Sequence, residues 1–321
     1  MIVSRIDGGL GNQLFQYAFG WYTAQRNNVN LVLDLSAYED QPEHGYLLDQ
    51  LQIEARTLQS KDLERIPSRY QSALKRPSLA TKILEWPLRK LAMLDSRLSR
   101  TKEKPFGFKE RYLSIGNNRY LVGYWQSERF FPGIRSDLLR QFRPAKVSDQ
   151  TSSLAERMYG RPSIALHVRR GDYLTNPSAA SIYERLTLDY YRSCLADRLS
   201  EKPNSEVYIF SNDLDWCRQE FDLSQQTYFV DHNDGSTAHE DMLLISHAQC
   251  CIIANSTFSW WGAWLNDRKD RVVYAPSRWF KPGTLDGTHI LPAEWLVKPN
   301  FCDDSNLRRD KPSEGAKRNA A

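Results

Sequence analysis

Ile164-Ala165-Leu166-His167-Val168-Arg169-Arg170-Gly171-Asp172-Tyr173 is the stretch from which the rest of the chain can be read. An aliphatic and β-branched run stops at a cluster of charged and titratable side chains followed by a glycine. That is the pattern of a buried strand of a parallel sheet that carries chemistry at its carboxyl end. Arginine keeps its charge, and its planar fork of donors pairs two-on-two with phosphate or carboxylate oxygens, so adjacent arginines at a strand end suit a diphosphate. Side chains alternate along a strand, so regular geometry would turn His167, Arg169 and Gly171 to one side and Val168 and Arg170 to the other. Arg169 is then the arginine expected to face a ligand, while Gly171 permits a turn and a close backbone approach. Arg169, Arg170 and Asp172 would also serve as a structural ion-pair network at a domain edge, and this segment alone leaves both readings open.

Beyond this stretch the chain alternates. Strands are expected at 163–168, 207–210, 228–230, 250–254 and 272–275, with helices at 188–199, 213–221, 238–248 and 256–266 between them. Strands separated by helices mean βαβ units and a parallel α/β sheet, whose ligands collect at the strand carboxyl ends. Polar residues follow the successive strands: His167 to Asp172, then Ser211-Asn212-Asp213, then Asp231-His232-Asn233-Asp234-Gly235, then Asn255-Ser256-Thr257-Phe258-Ser259. Asn255 or Ser256 is a good N-cap, and a helix opening at Ser256 to Ser259 offers free amides, hydroxyls and a positive dipole end to an anion. Simple capping would use the same residues. Asp241, near the start of the preceding helix, has the donor-accepting carboxylate a guanine edge needs, and equally suits stabilisation of the helix start.

Upstream, a strand at 2–6 leads through Asp7-Gly8-Gly9-Leu10-Gly11-Asn12 into a helix at 13–25 and a strand at 29–35, a second βαβ beginning. The glycine spacing does not match the dinucleotide-binding fingerprint. Small residues at a helix start still leave a rim of exposed amides, here Gly9, Asn12 and Gln13, unless the glycines serve only the turn. Residues 40–118 carry many charges and scattered prolines and read as helices and loops. A strand at 119–125 and a helix at 128–142 follow, and Arg143 to Asp149 has linker character. The division is therefore 1–147, 148–302 and a polar, disordered tail at 303–321.

Composition agrees with two domains: 321 residues, 41% hydrophobic, 26% charged, formal net charge +4. That surplus is too small to argue for nucleic acid. The five cysteines show neither a disulfide framework nor metal-ligand spacing, and an odd count with an adjacent pair points to reduced thiols. No leader precedes Met1 and no apolar run approaches the roughly 20 residues that span a bilayer, so a cytoplasmic protein is expected. The basic amphipathic pattern at 79–94 would suit peripheral membrane contact or an ordinary surface helix interrupted by Pro87. The catalytic signatures Gly-x-Ser-x-Gly, His-Glu-x-x-His, the P-loop and Asp-x-Asp are all absent. Without Asp-x-Asp, a sugar transferase would stabilise its leaving diphosphate with arginine and a helix N-terminus in place of a divalent metal.

Taken together, His167 to Tyr173, Gly8 to Ala18, Phe210-Ser211-Asn212-Asp213 and Asn255 to Leu265 resemble the α-1,2-fucosyltransferases of glycosyltransferase family 11. The resemblance covers the opening unit of the first domain and nearly all of the second, in the family's order. It implies a GT-B-like α/β fold of two Rossmann-type domains with parallel sheets facing across a cleft. The second domain would hold the nucleotide sugar and the first the acceptor. It further implies GDP-β-L-fucose as donor, a galactoside-containing glycan as acceptor, inversion to an α-1,2 linkage, and no cofactor or obligatory metal. By the same resemblance Arg169 would hold the β-phosphate, His167 and Asp241 the guanine end, Ser256, Thr257, Phe258 and Ser259 the phosphates, and Arg170 would order the site. The general base stays unassigned, with Asp7, Asp172 and Asp231 as candidates by location. A lipid-linked acceptor would account for peripheral membrane contact. Another donor such as GDP-mannose, or a carbohydrate-binding protein without activity, would use much of the same architecture.

Overall fold

A computed structural model describes residues 1–39, 45–59, 62, 98–170, 176–221 and 226–300. The first sheet comprises β1 (Ile2–Arg5), β2 (Leu31–Asp34), β3 (Arg56–Thr57), β4 (Ser99–Lys102) and β5 (Arg119–Val122), in the order β3-β2-β1-β5-β4. Every pairing in it is parallel. Helix α1 (Leu10–Arg26) crosses from β1 to β2. α2 (Arg135–Gln141) and α3 (Asp149–Gly160) lead to the second half. There β6 (Ser163–Val168), α4 (Pro177–Ile182), α5 (Leu188–Glu201), β7 (Glu206–Ser211), α6 (Leu214–Glu220), β8 (Thr227–Phe229), α7 (Ala238–His247), β9 (Cys250–Ile252), α8 (Thr257–Trp264), β10 (Val272–Pro276) and β11 (Leu296–Lys298) follow one another. Their sheet is also parallel, in the order β11-β10-β9-β6-β7-β8.

The sequence explains why these strands are central. β6 and β9 are mostly apolar runs, β1 opens on Ile2 and Val3, and all of β6 is buried, as a strand covered by helices on both faces must be. Most second-half elements fall within two residues of their sequence-based bounds, because each apolar run is closed by turn residues. Three departures have physical causes. The helix expected at 128–142 is a short 3₁₀ turn, Glu128–Phe130, and then α2; Pro132 and Gly133, the latter at φ +81°, break it. α3 was hidden in linker-like composition and is started by Ser148, whose hydroxyl accepts from the Thr151 amide at 3.2 Å. β11 is short and exposed, so no apolar run announces it.

The amphipathic pattern at 79–94, Cys302 and the tail at 303–321 lie outside the described residues. Among those described, Cys194, Cys217, Cys250 and Cys251 are free and buried. Burial pushes the Cys194 and Cys251 thiols up to about 12, so they pack as protonated, apolar groups. No described helix is long and apolar enough to cross a membrane.

Strand order fixes where ligands can sit. In the second sheet the connections run outward in opposite directions from the adjacent pair β6 and β9; in the first the chain leaves β1 outward toward β2 and β3, while the adjacent β5 is entered from the edge strand β4 and leads out of the sheet. Beyond the carboxyl ends of such a pair the flanking loops diverge and leave a crevice, the topological switch point of an open parallel sheet. The two sheets are also joined by one continuous core. Phe15 of α1 lies 4.5 Å from Trp260 and 4.9 Å from Trp261 of α8, ring centre to ring centre. Phe131 stacks on Trp261 at 5.7 Å, and Phe142 meets it edge-on at 5.3 Å.

Candidate active site

The second switch point is built by the ends of β6 and β9. β9 leads to Asn255, fully buried, whose side-chain amide donates to the carbonyls of Glu184 at 2.7 Å and Trp279 at 2.9 Å. These bonds aim the next residue, Ser256, as the N-cap of α8, where its hydroxyl makes no capping bond. The amides of the first helical turn have no carbonyl of their own helix to bind, so they and the dipole end stand at the crevice. Across it, the imidazole of His167 packs on Phe258 with ring centres 5.5 Å apart, which brings the end of β6 to the start of α8. Thr257 and Phe258 are partly exposed there. Ser259 is a correction to the expected phosphate contacts. It is fully buried, and its hydroxyl is directed to the carbonyls of Ala254 and Ser256 at 3.4 and 3.3 Å, because one residue further along the helix the side chain points into the core.

β6 ends at Val168, so the arginine pair lies beyond the pleat and is not divided between the two faces as strict alternation would have it. Both arginines line a cavity of about 390 Å³ on the α5 side, walled by Arg185, Leu186, Thr187, Leu188, Tyr191 and Trp216; His167 and Ser256 to Ser259 do not line it. The pair follows directly on His167 and Val168 in the chain, and its lining contacts are with that cavity. Arg170 is strongly held: its Nε donates to Asp213 at 3.2 Å, its amide to the Asn212 side chain at 3.0 Å, and its guanidinium lies 3.9 Å from the Trp216 ring centre. Asp213 in turn caps α6 through the Trp216 amide.

The acidic candidates separate. Asp241, in the first turn of α7, accepts from the Asn233 amide at 2.7 Å, and burial pushes its carboxyl up to about 6 against that stabilising bond. Asp231 is exposed and paired with Arg218 at 2.8 Å beyond β8, the outermost strand. That edge position and ion pair take it away from either switch point, so it is withdrawn as a base. Asp172 lies outside the described residues. Asp7 stands at the first switch point, directly after β1: its amide donates to Gln16 Oε1 at 2.9 Å, its Oδ1 accepts from Gln16 Nε2 at 3.0 Å, and Arg5 lies 3.6 Å from Oδ2. Gln16, nearly two helical turns into α1, was not anticipated, because nothing in its local spacing marks it as a partner.

The glycine turn serves three distinct ends. Gly8 takes φ +76°, a left-handed conformation that a side chain disfavours, and Gly9 is the cap residue whose carbonyl receives the first amides of α1. Asn12 is partly exposed and accepts from Gln126 Nε2 at 3.0 Å, fastening the loop after β5 to α1. Gln13 is corrected from the rim: it is fully buried, donating to the carbonyls of Gly8 and Gly45 and accepting from the Leu47 amide. Gly11 has a role that spacing did not reveal. A Cβ placed on it would come within 2.4 Å of the Thr257 carbonyl carbon and 2.5 Å of the Phe258 nitrogen. The amino ends of α1 and α8 therefore touch backbone to backbone, and the two switch points face one another. Among the described residues no three His, Cys, Asp or Glu side chains are grouped to hold a metal ion.

Two Rossmann-type units with opposed switch points are the GT-B arrangement of nucleotide-sugar transferases. The chain belongs to glycosyl transferase family 11, whose family model matches residues 1–296. It is 32% identical to an alpha-1,2-colitosyltransferase of Escherichia coli over 92% of this chain and 98% of that protein. It is 30% identical to the O-antigen biosynthesis glycosyltransferase WbnK of Escherichia coli over 86% and 94%. The human galactoside alpha-(1,2)-fucosyltransferase 1 matches at 26% over 45% of this chain and 42% of its own length. Among solved structures, the fucosyltransferase NodZ from Bradyrhizobium superposes with a TM-score of 0.45 at 17% identity, covering 81% of this chain and 91% of that one.

Proposed function

We propose that the protein transfers L-fucose from GDP-β-L-fucose to the 2-hydroxyl of a galactoside in a bacterial surface glycan, with inversion and without an obligatory metal. Family membership supports glycosyl transfer. The observation that supports the donor reading is the meeting of β6 and α8: His167 packs on Phe258 beside a helix start whose Ser256 side chain makes no capping bond, and the arginine pair follows directly on β6. In the reaction the acceptor oxygen forms a bond to the fucose anomeric carbon, the bond from that carbon to the β-phosphate oxygen breaks, and its electron pair departs on GDP. Negative charge grows on the β-phosphate as this happens. Arg169 and the Thr257 and Phe258 amides are assigned to that charge, where stabilisation lowers the barrier more than it tightens ground-state binding. Arg170, fixed by Asp213 and Trp216, is assigned to hold the pair in place. His167 and Asp241 are assigned to the guanine end. The proton released by the acceptor passes to Asp7 or to solvent.

The O-antigen relative favours a surface glycan acceptor. The colitosyltransferase relative favours a second reading, in which the donor sugar is colitose, L-fucose without its 3-hydroxyl. Incubation with GDP-fucose and with GDP-colitose, each with lactose-type acceptors in EDTA, decides between them. Fucosylated product with the new bond at the galactose 2-position supports the first reading. Product from GDP-colitose alone replaces it with the second, and a strict requirement for added metal removes the metal-free mechanism.

A further inference from the structure

Tyr124 is the only exposed large apolar side chain among the described residues of the first domain, at 44%. A single exposed aromatic is ordinary, but the chain around this one is held in costly conformations. The buried carboxylate of Glu103 accepts from the backbone amides of Gly107 at 3.1 Å, Tyr124 at 2.7 Å and Trp125 at 3.0 Å. Gly123 has no room for a side chain, since a Cβ would stand 2.5 Å from that of Glu103. Trp125 takes φ +55°, a left-handed conformation that a bulky residue adopts only where its surroundings impose it. Its indole is driven into the core against Phe19 at 4.2 Å, which turns the preceding residue the opposite way. Tyr124 therefore stands immediately beyond β5 at the β1/β5 switch point. Arg5 ends β1, the strand paired with β5, and Asp7 follows it 3.6 Å from the Arg5 guanidinium, at the same sheet edge as Tyr124.

We propose that Tyr124 is the platform on which the acceptor pyranoside stacks, with Asp7 and Arg5 meeting the hydroxyls at the sugar's rim. The inference rests on the reading of the chain as a galactoside-directed transferase and assigns the acceptor side of that site. The axial 4-hydroxyl of galactose leaves the opposite face apolar around the hydrogens of carbons 3, 4 and 5. An aromatic ring covers such an apolar face while the polar rim stays wet. The equatorial 2-hydroxyl then lies at the edge, open to the donor held by the opposite switch point.

Saturation-transfer NMR on the full chain with GDP bound and methyl β-D-galactopyranoside as probe tests this without donor turnover. The strongest saturation is expected at hydrogens 3, 4 and 5, retained in Tyr124→Phe and lost in Tyr124→Ala. With a working donor, Tyr124→Ala should raise the acceptor KM by on the order of tenfold, the worth of one aromatic contact, with a smaller change in kcat. Unchanged GDP affinity in both variants reports that the protein is folded. Saturation and KM in Tyr124→Ala equal to wild type would overturn the platform, as would a wild-type protein that shows no galactoside saturation. If GDP-fucose proves not to be the donor, only the turnover arm fails and the NMR arm still reads.

Discussion

Arg169 and Arg170 are neighbours in the chain with different surroundings. Arg170 has its Nε on Asp213 and its plane over Trp216, an arrangement that fixes it as part of the frame. Replacement of Arg169 by lysine keeps the charge and discards the fork. We expect turnover with GDP-fucose to fall on the order of 10²-fold, as when a transition-state donor is deleted, with GDP affinity by calorimetry falling much less. Unchanged turnover would remove the assignment. Asp241 permits a test by pH. Burial raises its carboxyl from 3.8 to about 6, so between these values the folded protein retains a proton that the unfolded chain releases. Its contribution to stability is therefore greatest at low pH and declines as pH rises toward 6. Guanine recognition runs the other way, because it needs the ionised carboxylate. GDP affinity should weaken roughly tenfold at pH about 5 relative to neutral pH, and Asp241→Asn should bind weakly at both. Residue types and strand-end positions made these groups legible in the sequence. The inward turn of Ser259 and the lock made by Gln13 were not, since both depend on partners brought together only by folding.

Among the elements, the amino ends of α1 and α8 set the geometry between donor and acceptor. The sequence marked both as possible anion-binding helix starts and could not show that they abut. The reason is that Gly11 is measured against the backbone of a helix from the other half of the chain. Gly11→Ala would force a methyl into the Thr257–Phe258 peptide, where neither backbone can yield cheaply. A displacement of about 1 Å between reacting groups costs on the order of 10² in rate, so turnover should drop by that factor. GDP titration should still show binding, at reduced affinity, through His167, Arg169 and Asp241, which are not part of the displaced peptide. Wild-type turnover in this variant would mean that the two helix starts do not set the reaction distance. The broken helix at Glu128 to Phe142 teaches the same lesson on a smaller scale: its apolar spacing is helical, yet Pro132 and Gly133 decide its course.

At the scale of the molecule, the alternation of strands and helices disclosed two α/β units, but not that they share a core. The Trp260 to Trp264 segment is apolar all round and so reads only as a buried helix. In the fold it is the surface on which Phe15, Phe131 and Phe142 of the first unit close. Trp261→Ala should cost about 3–5 kcal/mol, the range for deleting a buried aromatic. Because the lost contacts belong to both units, denaturant unfolding of the wild type should show one transition by fluorescence and circular dichroism alike. Two separated transitions would show that the units unfold independently. The same cluster has a spectroscopic consequence. Trp261 lies 5.0 Å from Trp260 and 5.1 Å from Trp264 with each pair of planes inclined at 75°, and Trp295 lies 5.6 Å from Trp260. Indoles at such separations and tilts share their excitations, so the second unit carries its own chromophore for the packing of α8. A paired positive and negative band in the ultraviolet dichroism should mark the folded second unit and fade as α8 loses its packing, without any label attached.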